Sequence, residues 1–436
     1  MGKLLLTLII GATVLTSLGR PWIGICSYYL LSILGPQYIW WWNFEGLRVS
    51  FLVAIFTLSG MAFQLLKKNY DAGFLLNRHS LWLAVLWLCV VISYFFGPYV
   101  DSFNSSGLRP EQLFSLTNTI FIFYFCATLE INELRKLRYL VIVFAASTIY
   151  LAYWANNQYF TQNWNQFNMG RLMGPQSIDG GSIYGDENNF AMLFVTGLPF
   201  IFYIGWELQK KWQRYLLWAI IPMGWHAVFL TGSRGGLLGL VVTVFLTLFL
   251  FGRKFIAVPL IVLFIVFYQL QAGDVMKHRS DTIVDYEGEN SAETRIIAWK
   301  GGLRMMAAHP FVGVGLGSFV TALPQFIESK PKVAHNTFIQ FAAESGLAAG
   351  MAYIVIVTMF FMNSRKIRTW CNENENSQDK ILIDSYNNAS TVSFAGLIIC
   401  SLFLSLNNYE IFFVLLIFNN ALLQICLRET DVTVNP

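Results

Sequence analysis

Charged residues are scarce in this chain of 436 residues, of which 12% are charged, 56% hydrophobic and 16% aromatic. Soluble domains carry about 25% charged residues, so this composition excludes an ordinary soluble domain and predicts a polytopic membrane protein. The net charge is only +4. The partner that the composition indicates is therefore the lipid bilayer, and no nucleic acid is expected.

Metal-binding patterns are missing as well. None of the five histidines stands in an HExxH or similar spacing. Asp186 and Glu187 are adjacent, which could suggest a metal, but no outward segment carries an Asp-x-Asp pattern, so neither a metal nor a cofactor is expected. The six cysteines lie in apolar runs or, for Cys371, in a polar loop. A disulfide framework is therefore not expected.

A cleavage site is also lacking after the first apolar run, so a retained first helix is expected there instead of a signal peptide. A membrane span needs about 20 apolar residues. A further apolar segment at 22–35 is short, and it can either span the membrane or be re-entrant. Apolar runs predict an all-α fold with twelve spans, or thirteen with this segment, at 4–19, 47–66, 80–97, 112–129, 137–155, 188–206, 214–231, 235–252, 255–271, 336–362, 388–406 and 410–427.

The lysines and arginines of the short loops gather on one side of the predicted membrane. One set of loops holds 16 of them, whereas the alternate set holds four, at Arg48, Arg109, Arg171 and Arg234. Cation-rich loops face the cytoplasm. The 156–187 loop, the turn at Ser233 and the long polar loop at 272–335 are therefore expected on the outer side.

The long polar loop contains signals of a helix. Ser291-Ala-Glu-Thr is typical of a helix start, and Pro310 is expected to stop the helix. Between them, apolar residues recur at helical spacing, and the other side carries Arg295 and Lys300. These features predict an amphipathic helix that can lie on the membrane. Its apolar side consists of Ile296, Trp299, Leu303 and Met306.

A glycine-rich segment follows that helix. Gly313-Val-Gly-Leu-Gly317 does not have the GxGxxG spacing of a dinucleotide site, and no strand–helix unit surrounds it. We interpret it as a flexible connector.

Two arginines are candidate phosphate ligands. Arg234 lies in Thr231-Gly-Ser-Arg-Gly-Gly236, at a depth where a charge needs a partner or a water-filled cavity. A guanidinium binds phosphate in a bidentate manner, although Arg234 could equally extend to lipid headgroups. Arg295 leaves the same two possibilities, because it could be a second phosphate ligand or only the polar side of the amphipathic helix.

His335 lies where the long loop meets the next apolar run, and we expect it to begin a membrane helix. It could act as a general base toward an acceptor hydroxyl or as a donor to a leaving phosphate. The alternative is a capping histidine bonded to a carbonyl. In one continuous helix, Glu344 would lie about 13 Å deeper and roughly 180° around the axis. A bracing role between helices is therefore preferred for Glu344 over an acid–base pair with His335.

Taken together, the motifs between about 170 and 350 resemble the bacterial O-antigen ligase and O-antigen polymerase superfamily. A looser match around Arg20-Pro21 and the following tryptophans resembles the exosortase-associated branch of O-glycosylation ligases. The motifs with the family's order and spacing are Arg171-Leu-Met-Gly174, Asn188-Asn-Phe-Ala191, Ser233-Arg234-Gly235-Gly236, Arg295 with Trp299, His309-Pro310 with Gly313 and Gly315, His335-Asn336 and Glu344-Ser345-Gly346.

The resemblance implies a GT-C-like membrane glycosyltransferase. Members transfer a glycan from undecaprenyl pyrophosphate to a lipid A core sugar, a growing chain or a protein hydroxyl, on the periplasmic face of the inner membrane and without a metal. Carried over residue by residue, it implies that Arg234, Arg295 and His335 are catalytic. A donor-site cation is implied at Arg171. Further substrate-binding residues are expected at Ser233, Asn188, Asn336 and Arg304, and supporting ones at Glu344 and Trp299.

This interpretation divides the chain into N-terminal helices (1–155), central helices with an outward loop (156–271), a periplasmic catalytic loop (272–335) and C-terminal helices (336–436). Alternatives to a ligase stay open. A polymerase of the same superfamily would carry the same residues. A lipid-linked glycan transporter or an export-complex subunit is a different class. A transporter is disfavoured because the sequence shows no internal duplication or paired broken helices.

Overall fold

The structure is a computed structural model that describes residues 2–44, 49–67, 70–102, 108–175, 184, 186–251, 254–274, 276–277 and 290–434. Parts of the predicted outward loops, 176–183 and 278–289 among them, lie outside the described residues. The described residues are almost entirely helical, with one two-stranded antiparallel hairpin, β1 (Phe167–Asn168) and β2 (Arg171–Leu172). The all-α prediction is therefore confirmed.

The helices follow one another with short connections. In chain order they are α1 Gly2–Gly19, α2 Pro21–Leu34, α3 Pro36–Ile39, α4 Trp41–Phe44, α5 Val49–Leu66, α6 Arg78–Phe96, α7 Pro110–Glu130, α8 Leu134–Phe160, α9 Glu187–Glu207, α10 Lys211–Trp218, α11 Ile220–Thr231, α12 Arg234–Phe251, α13 Lys254–Gln271, α14 Asn290–Ala308, α15 Phe319–Phe326, α16 Thr337–Ser345, α17 Leu347–Glu373, α18 Lys380–Ser401 and α19 Glu410–Val434.

Within the described part of the chain, seven helices are long and apolar enough to cross a membrane: α5, α6, α7, α8, α9, α17 and α19. Three shorter apolar helical stretches accompany them, at Thr7–Gly19, Arg234–Leu250 and Ile261–Gln271. The chain is a multi-pass membrane protein, as the composition predicts. The full count of twelve or thirteen spans stays a prediction.

Two predicted spans are interrupted. The run at 214–231 forms α10 and α11, which meet at Ala219. The run at 336–362 is broken at Gly346, whose φ of 87° is open to glycine but strained for other residues. The predicted continuous span is therefore wrong at this point, because α16 ends at Ser345 and the membrane-spanning helix α17 begins at Leu347.

The helix ends define two faces of the molecule. On one face, which we call the cation-rich face, Arg428 of α19 bonds to Asp71 just beyond α5, and Tyr70 bonds to Glu130 at the end of α7. On the opposite face, which we call the site face, Tyr409 donates to the carbonyl of Asn189 over 3.0 Å. The starts of α9 and α19 therefore lie together on the site face.

The short helix α2 connects these two faces. At its start, the Gln64 amide near the end of α5 donates to the carbonyl of Gly19 over 3.4 Å. Near its other end, Ser32 donates to Glu410, the first residue of α19. The segment at 22–35, which the sequence left as spanning or re-entrant, therefore runs from one face to the other in the structure.

Helix α9 lies at the centre of the bundle, and most of its side chains are buried. Small residues let neighbours approach its backbone closely: a Cβ added at Gly236 of α12 would lie 2.6 Å from the Cβ of Ala191. From α18, Ser393 donates to the carbonyl of Thr196 over 2.6 Å. Because α9 is fixed on several sides, its N-terminal end is a rigid base for the polar residues around it.

Candidate functional site

His335 does not begin a helix but precedes one. It has a φ of 49°, in the left-handed region, and the helix α16 starts two residues later with Asn336 as its N-cap. The Asn336 side chain accepts from the N–H of Ile339 at 3.0 Å and donates to the carbonyl of Leu402 at 3.1 Å. The prediction that His335 begins a membrane helix is wrong, because asparagine satisfies the free N–H groups of a helix start better than histidine does.

The backbone immediately before His335 is held on both sides. Ala334 is fully buried, its N–H donates to the Gln340 side chain at 3.1 Å, and its carbonyl accepts from the Trp299 indole at 2.9 Å. A non-glycine residue in a left-handed conformation costs roughly 1–2 kcal/mol. These contacts fix the backbone and so maintain the unusual conformation of His335.

Glu344 lies at the other end of α16 and is buried. It accepts from the Gln340 amide at 2.6 Å and from the N–H of Phe319 at 3.2 Å. The predicted depth and angle of Glu344 relative to His335 assumed one continuous helix. They do not apply, since His335 is outside the helix. Gln340 instead connects Glu344 to Ala334, and the supporting role that the sequence predicts for this acid stays a prediction.

Charged residues from three segments surround His335. Burial, and then the positive charge of Arg295 on α14, lower the pKa of His335 to about 4, while Asp186 opposes this shift and Lys332 adds to it. Arg295 and Asp186 are therefore close enough to His335 for their charges to act on it. His335 is neutral at pH 7 in this environment.

The N-terminal end of α9 supplies a second group of polar contacts. The Asp186 side chain caps the helix by accepting from the N–H of Asn188 at 2.7 Å and of Asn189 at 3.2 Å. The next residue, Glu187, forms an ion pair with Arg171 of β2. Both acids are therefore used in holding this end of the chain. Among the described residues, no group of three or more His, Cys, Asp and Glu side chains could hold a metal ion.

The Ser233-Arg234-Gly235-Gly236 turn is joined directly to α9. The Ser233 hydroxyl donates to the Asn188 side chain at 2.8 Å and accepts from the N–H of Gly236 at 3.0 Å. Gly232, with a φ of 59°, ends α11, and Arg234 is the half-buried first residue of α12. Arg234 thus stands at a helix N-terminus on the site face, where the helix dipole favours an anion.

The helix predicted in the long polar loop is present as α14, and its predicted end at Pro310 is close to its last residue, Ala308. Its predicted apolar side is divided, however. Met306 is buried, whereas Ile296 is 46% and Leu303 57% exposed. The helix packs instead through a neighbouring surface, where a Cβ at Gly302 would lie 2.5 Å from Ile339. The hydrophobic periodicity considers only apolar side chains and ignores glycine. The packing surface that it predicted is therefore displaced from the observed one.

Arg304 lies apart from the other predicted ligands. It is exposed, and its guanidinium donates to the carbonyl of Phe326 at the end of α15 over 2.7 Å. The structure therefore gives Arg304 a partner within the loop, and its predicted role in substrate binding stays untested.

The glycine-rich segment after α14 is not a loose connector. Gly313, Gly315 and Gly317 all have positive φ values. The N–H of Gly315 donates to the carbonyl of Glu344 at 3.0 Å, and a Cβ at Gly313 would lie 2.2 Å from the same oxygen. The glycines allow two backbones to meet, so the interpretation as a flexible connector is wrong.

The structure thus brings most of the predicted residues to one face. Arg295, Asp186 and His335 interact electrostatically, and contacts from Arg171 through Glu187 and Asn188 lead to Ser233. Sequence reasoning missed Gln340, which also accepts from Ser405 at 3.0 Å. Its signal was its position four residues from both Asn336 and Glu344, since residues with this spacing share one side of a helix.

The fold and this site define a multi-pass membrane protein with a cationic, histidine-containing site on one face. Residues 221–354 match the family model described as O-Antigen ligase, and residues 1–152 match a Family of unknown function (DUF5935). No curated protein matches the chain. Residues 221–354 thus form an O-antigen ligase domain that includes Arg234, Arg295 and His335, and the predicted resemblance to the O-antigen ligase superfamily is confirmed. A ligase- or polymerase-type function follows from that domain.

Proposed function

We propose that this protein is an O-antigen ligase-like glycosyltransferase. It transfers a glycan from undecaprenyl pyrophosphate to the hydroxyl of an acceptor, which is a lipid A core sugar or a protein. The observation that supports this most strongly is the electrostatic interaction of Arg295 and Asp186 with a half-buried, neutral His335, on the face where the turn at Arg234 is joined to α9.

The arginines bind the donor in this proposal. As the glycosidic bond to pyrophosphate breaks, negative charge develops on the leaving group, and fixed cations stabilise that charge. Arg234 and Arg295 provide such cations without a metal ion. Arg171 lies on the same face but shares its charge with Glu187, so its contribution is to hold the α9 end and to assist binding of the donor.

His335 acts on the acceptor. Because its imidazole is neutral at pH 7, one ring nitrogen can accept the proton of the attacking hydroxyl or hold that hydroxyl in place. A bound pyrophosphate beside Arg295 raises the proton affinity of His335 through its negative charge. Transfer in a single displacement inverts the configuration at the anomeric carbon.

We place the protein in the bacterial inner membrane, with the site face in the periplasm and a GT-C-like arrangement of helices. The support is the distribution of lysine and arginine between alternate loops. Cysteine labelling tests it: a single cysteine at Met169, which is 89% exposed, should react with an impermeant reagent in intact cells. A cysteine at exposed Asn376 in the loop between α17 and α18 should not react.

The direct test is glycan transfer by the purified protein from an undecaprenyl-pyrophosphate-linked glycan, in EDTA. Arg234→Ala, Arg295→Ala and His335→Ala should each lose at least 100-fold in rate while their folding is unchanged, since removing one preorganised charge or base costs roughly that much. Arg365→Ala, which changes an exposed arginine near the end of α17, serves as the matched arginine control and should lose far less.

Three outcomes would contradict parts of the proposal. Full activity in the His335 and arginine variants would refute the site. Extension of the lipid-linked chain without transfer to a final acceptor would identify a polymerase of the same superfamily. Donor binding with flux through liposomes, and no transfer, would indicate a transporter.

A further inference from the structure

A pocket on the cation-rich face lies far from the proposed site. It has a volume of about 640 Å³ and lies between α2 and α8. Arg20, at the junction of α1 and α2, and Arg135, in the first turn of α8, both line it. Two guanidinium groups that meet at one pocket favour an anionic ligand.

Neither Arg20 nor Arg135 forms a close salt bridge with another described residue. Among the described residues, Arg20 forms no ion pair, and Arg135 lies at 3.9 Å from Glu133, at the limit of a salt bridge. The same Glu133 carboxylate is held more closely by Lys136, at 3.0 Å. The described residues that line the pocket therefore include two arginines and no carboxylate, while the N-terminal end of α2 is occupied by Glu130, which accepts from the N–H of Trp22.

The walls of this pocket are apolar and open sideways. Leu30 is 36%, Tyr139 49% and Ile142 44% exposed, and Ile142 lies on the membrane-spanning helix α8. In a membrane protein these exposed apolar side chains contact lipid. The pocket is therefore a crevice that opens into the bilayer.

An aromatic pair marks the depth of the crevice. Trp22 of α2 and Tyr139 of α8 pack with ring centroids 5.4 Å apart. Tryptophan and tyrosine concentrate at the level of lipid headgroups. The arginines at this level can therefore contact a phosphate group, while the aliphatic residues deeper in the crevice contact a hydrocarbon chain.

We infer that the Arg20–Arg135 crevice is a binding site for an anionic phospholipid of the leaflet on the cation-rich face. The two guanidinium groups bind the headgroup phosphate, and an acyl chain lies along Leu30, Ile142 and Val143. Basic pockets between membrane helices bind anionic lipids by the same combination of charge and apolar contact. The inference does not depend on the proposed transfer reaction.

Native mass spectrometry of the purified protein, titrated with phosphatidylglycerol or phosphatidylcholine, tests this site. We expect the wild type to bind phosphatidylglycerol more tightly, and Arg20→Gln/Arg135→Gln to bind it about 30-fold more weakly, since each of the two arginines near a lipid surface contributes about 1 kcal/mol. Arg365→Gln is the matched control, because Arg365 is exposed near the same face and does not line the crevice. The Arg20→Lys/Arg135→Lys variant should keep most of the binding and so exclude misfolding as the cause.

Other results would overturn the inference. Equal affinity for the two lipids would show that binding at the crevice does not depend on the charge of the headgroup. Displacement of phosphatidylglycerol by millimolar inorganic phosphate would identify a site for a free anion. An unchanged affinity in the Arg20→Gln/Arg135→Gln variant would place the lipid elsewhere.

Discussion

Trp299 donates its indole N–H to the carbonyl of Ala334 over 2.9 Å, and this bond joins α14 to the residue that precedes His335. Both residues belong to the long polar loop at 272–335, in which they are 35 positions apart. Loss of this one bond should therefore affect the position of the imidazole without removing any charge from the site.

Trp299→Phe tests that relationship. The substitution leaves the buried carbonyl of Ala334 without a donor, which costs about 1–3 kcal/mol, and it frees the backbone at His335. We expect the rate of glycan transfer to fall by about tenfold, while the affinity of the protein for the glycan donor stays nearly unchanged. Trp370→Phe is the matched control, since it removes an indole bond to Thr430, 3.1 Å long, on the opposite face. Equal losses in the two variants would contradict a specific role for Trp299.

The conformation of His335 yields a second prediction. Glycine adopts a φ near 49° without strain, whereas alanine does not. His335→Gly should therefore exceed His335→Ala in the free energy of unfolding by roughly 1 kcal/mol. It should also unfold at a higher temperature, although both variants lose transfer activity. Thermal unfolding of the two purified variants measures this difference. A less stable glycine variant would show that the left-handed conformation does not persist in the protein.

The surroundings of His335 predict a pH dependence. A base must be neutral, and the pKa of His335 lies near 4 because of burial, Arg295 and Lys332. The kcat/KM of the wild type should therefore stay constant from pH 7 down to about 5. Lys332→Gln removes one cation, so the pKa of His335 rises and the acid limb of the pH–rate profile moves to higher pH. Lys330→Gln, at an exposed position, should leave the limb in place, and a shift of equal size there would refute the assignment.

The same pKa fixes the sign of a stability effect. Unfolded histidine has a pKa near 6.5, above the value of about 4 in the folded protein. Between these values the unfolded chain binds more protons, so the free energy of unfolding decreases as the pH falls from 6.5 toward 4. His335→Asn should make this decrease smaller. Equilibrium unfolding of both proteins at several pH values in this window provides the measurement.

The two glycines after Arg234 should differ in their tolerance of substitution. A Cβ at Gly236 would lie 2.6 Å from Ala191, whereas a Cβ at Gly235 meets nothing within 4 Å. Gly236→Ala should separate α12 from α9 and lower the unfolding temperature, at a cost of about 1–3 kcal/mol for overpacking. Gly235→Ala should be neutral or slightly stabilising. Comparable destabilisation by both would contradict the close approach of the two helices.

Several features could be predicted from the sequence because they are local or compositional. The low charge and long apolar runs determine a helical membrane protein, since the bilayer leaves backbone groups no partner except one another. The boundaries of most helices follow from where those runs end. The motifs at Arg171, Ser233, Arg295 and His335 indicated the family, because their joint order is specific even though each is short.

What only the tertiary structure decided concerns contacts between distant segments. The break at Gly346 depends on the approach of the Pro310–Phe311 backbone, from which a Cβ at Gly346 would lie 2.2 Å. Burial, and then the charge of Arg295 from another segment, keep His335 neutral against the opposing charge of Asp186. Its conformation depends on Trp299 and Gln340. The sequence by itself thus determined the class of the protein and the residue types of its site, while packing between remote helices decided how those residues are held, because burial and electrostatic effects act through space and not along the chain.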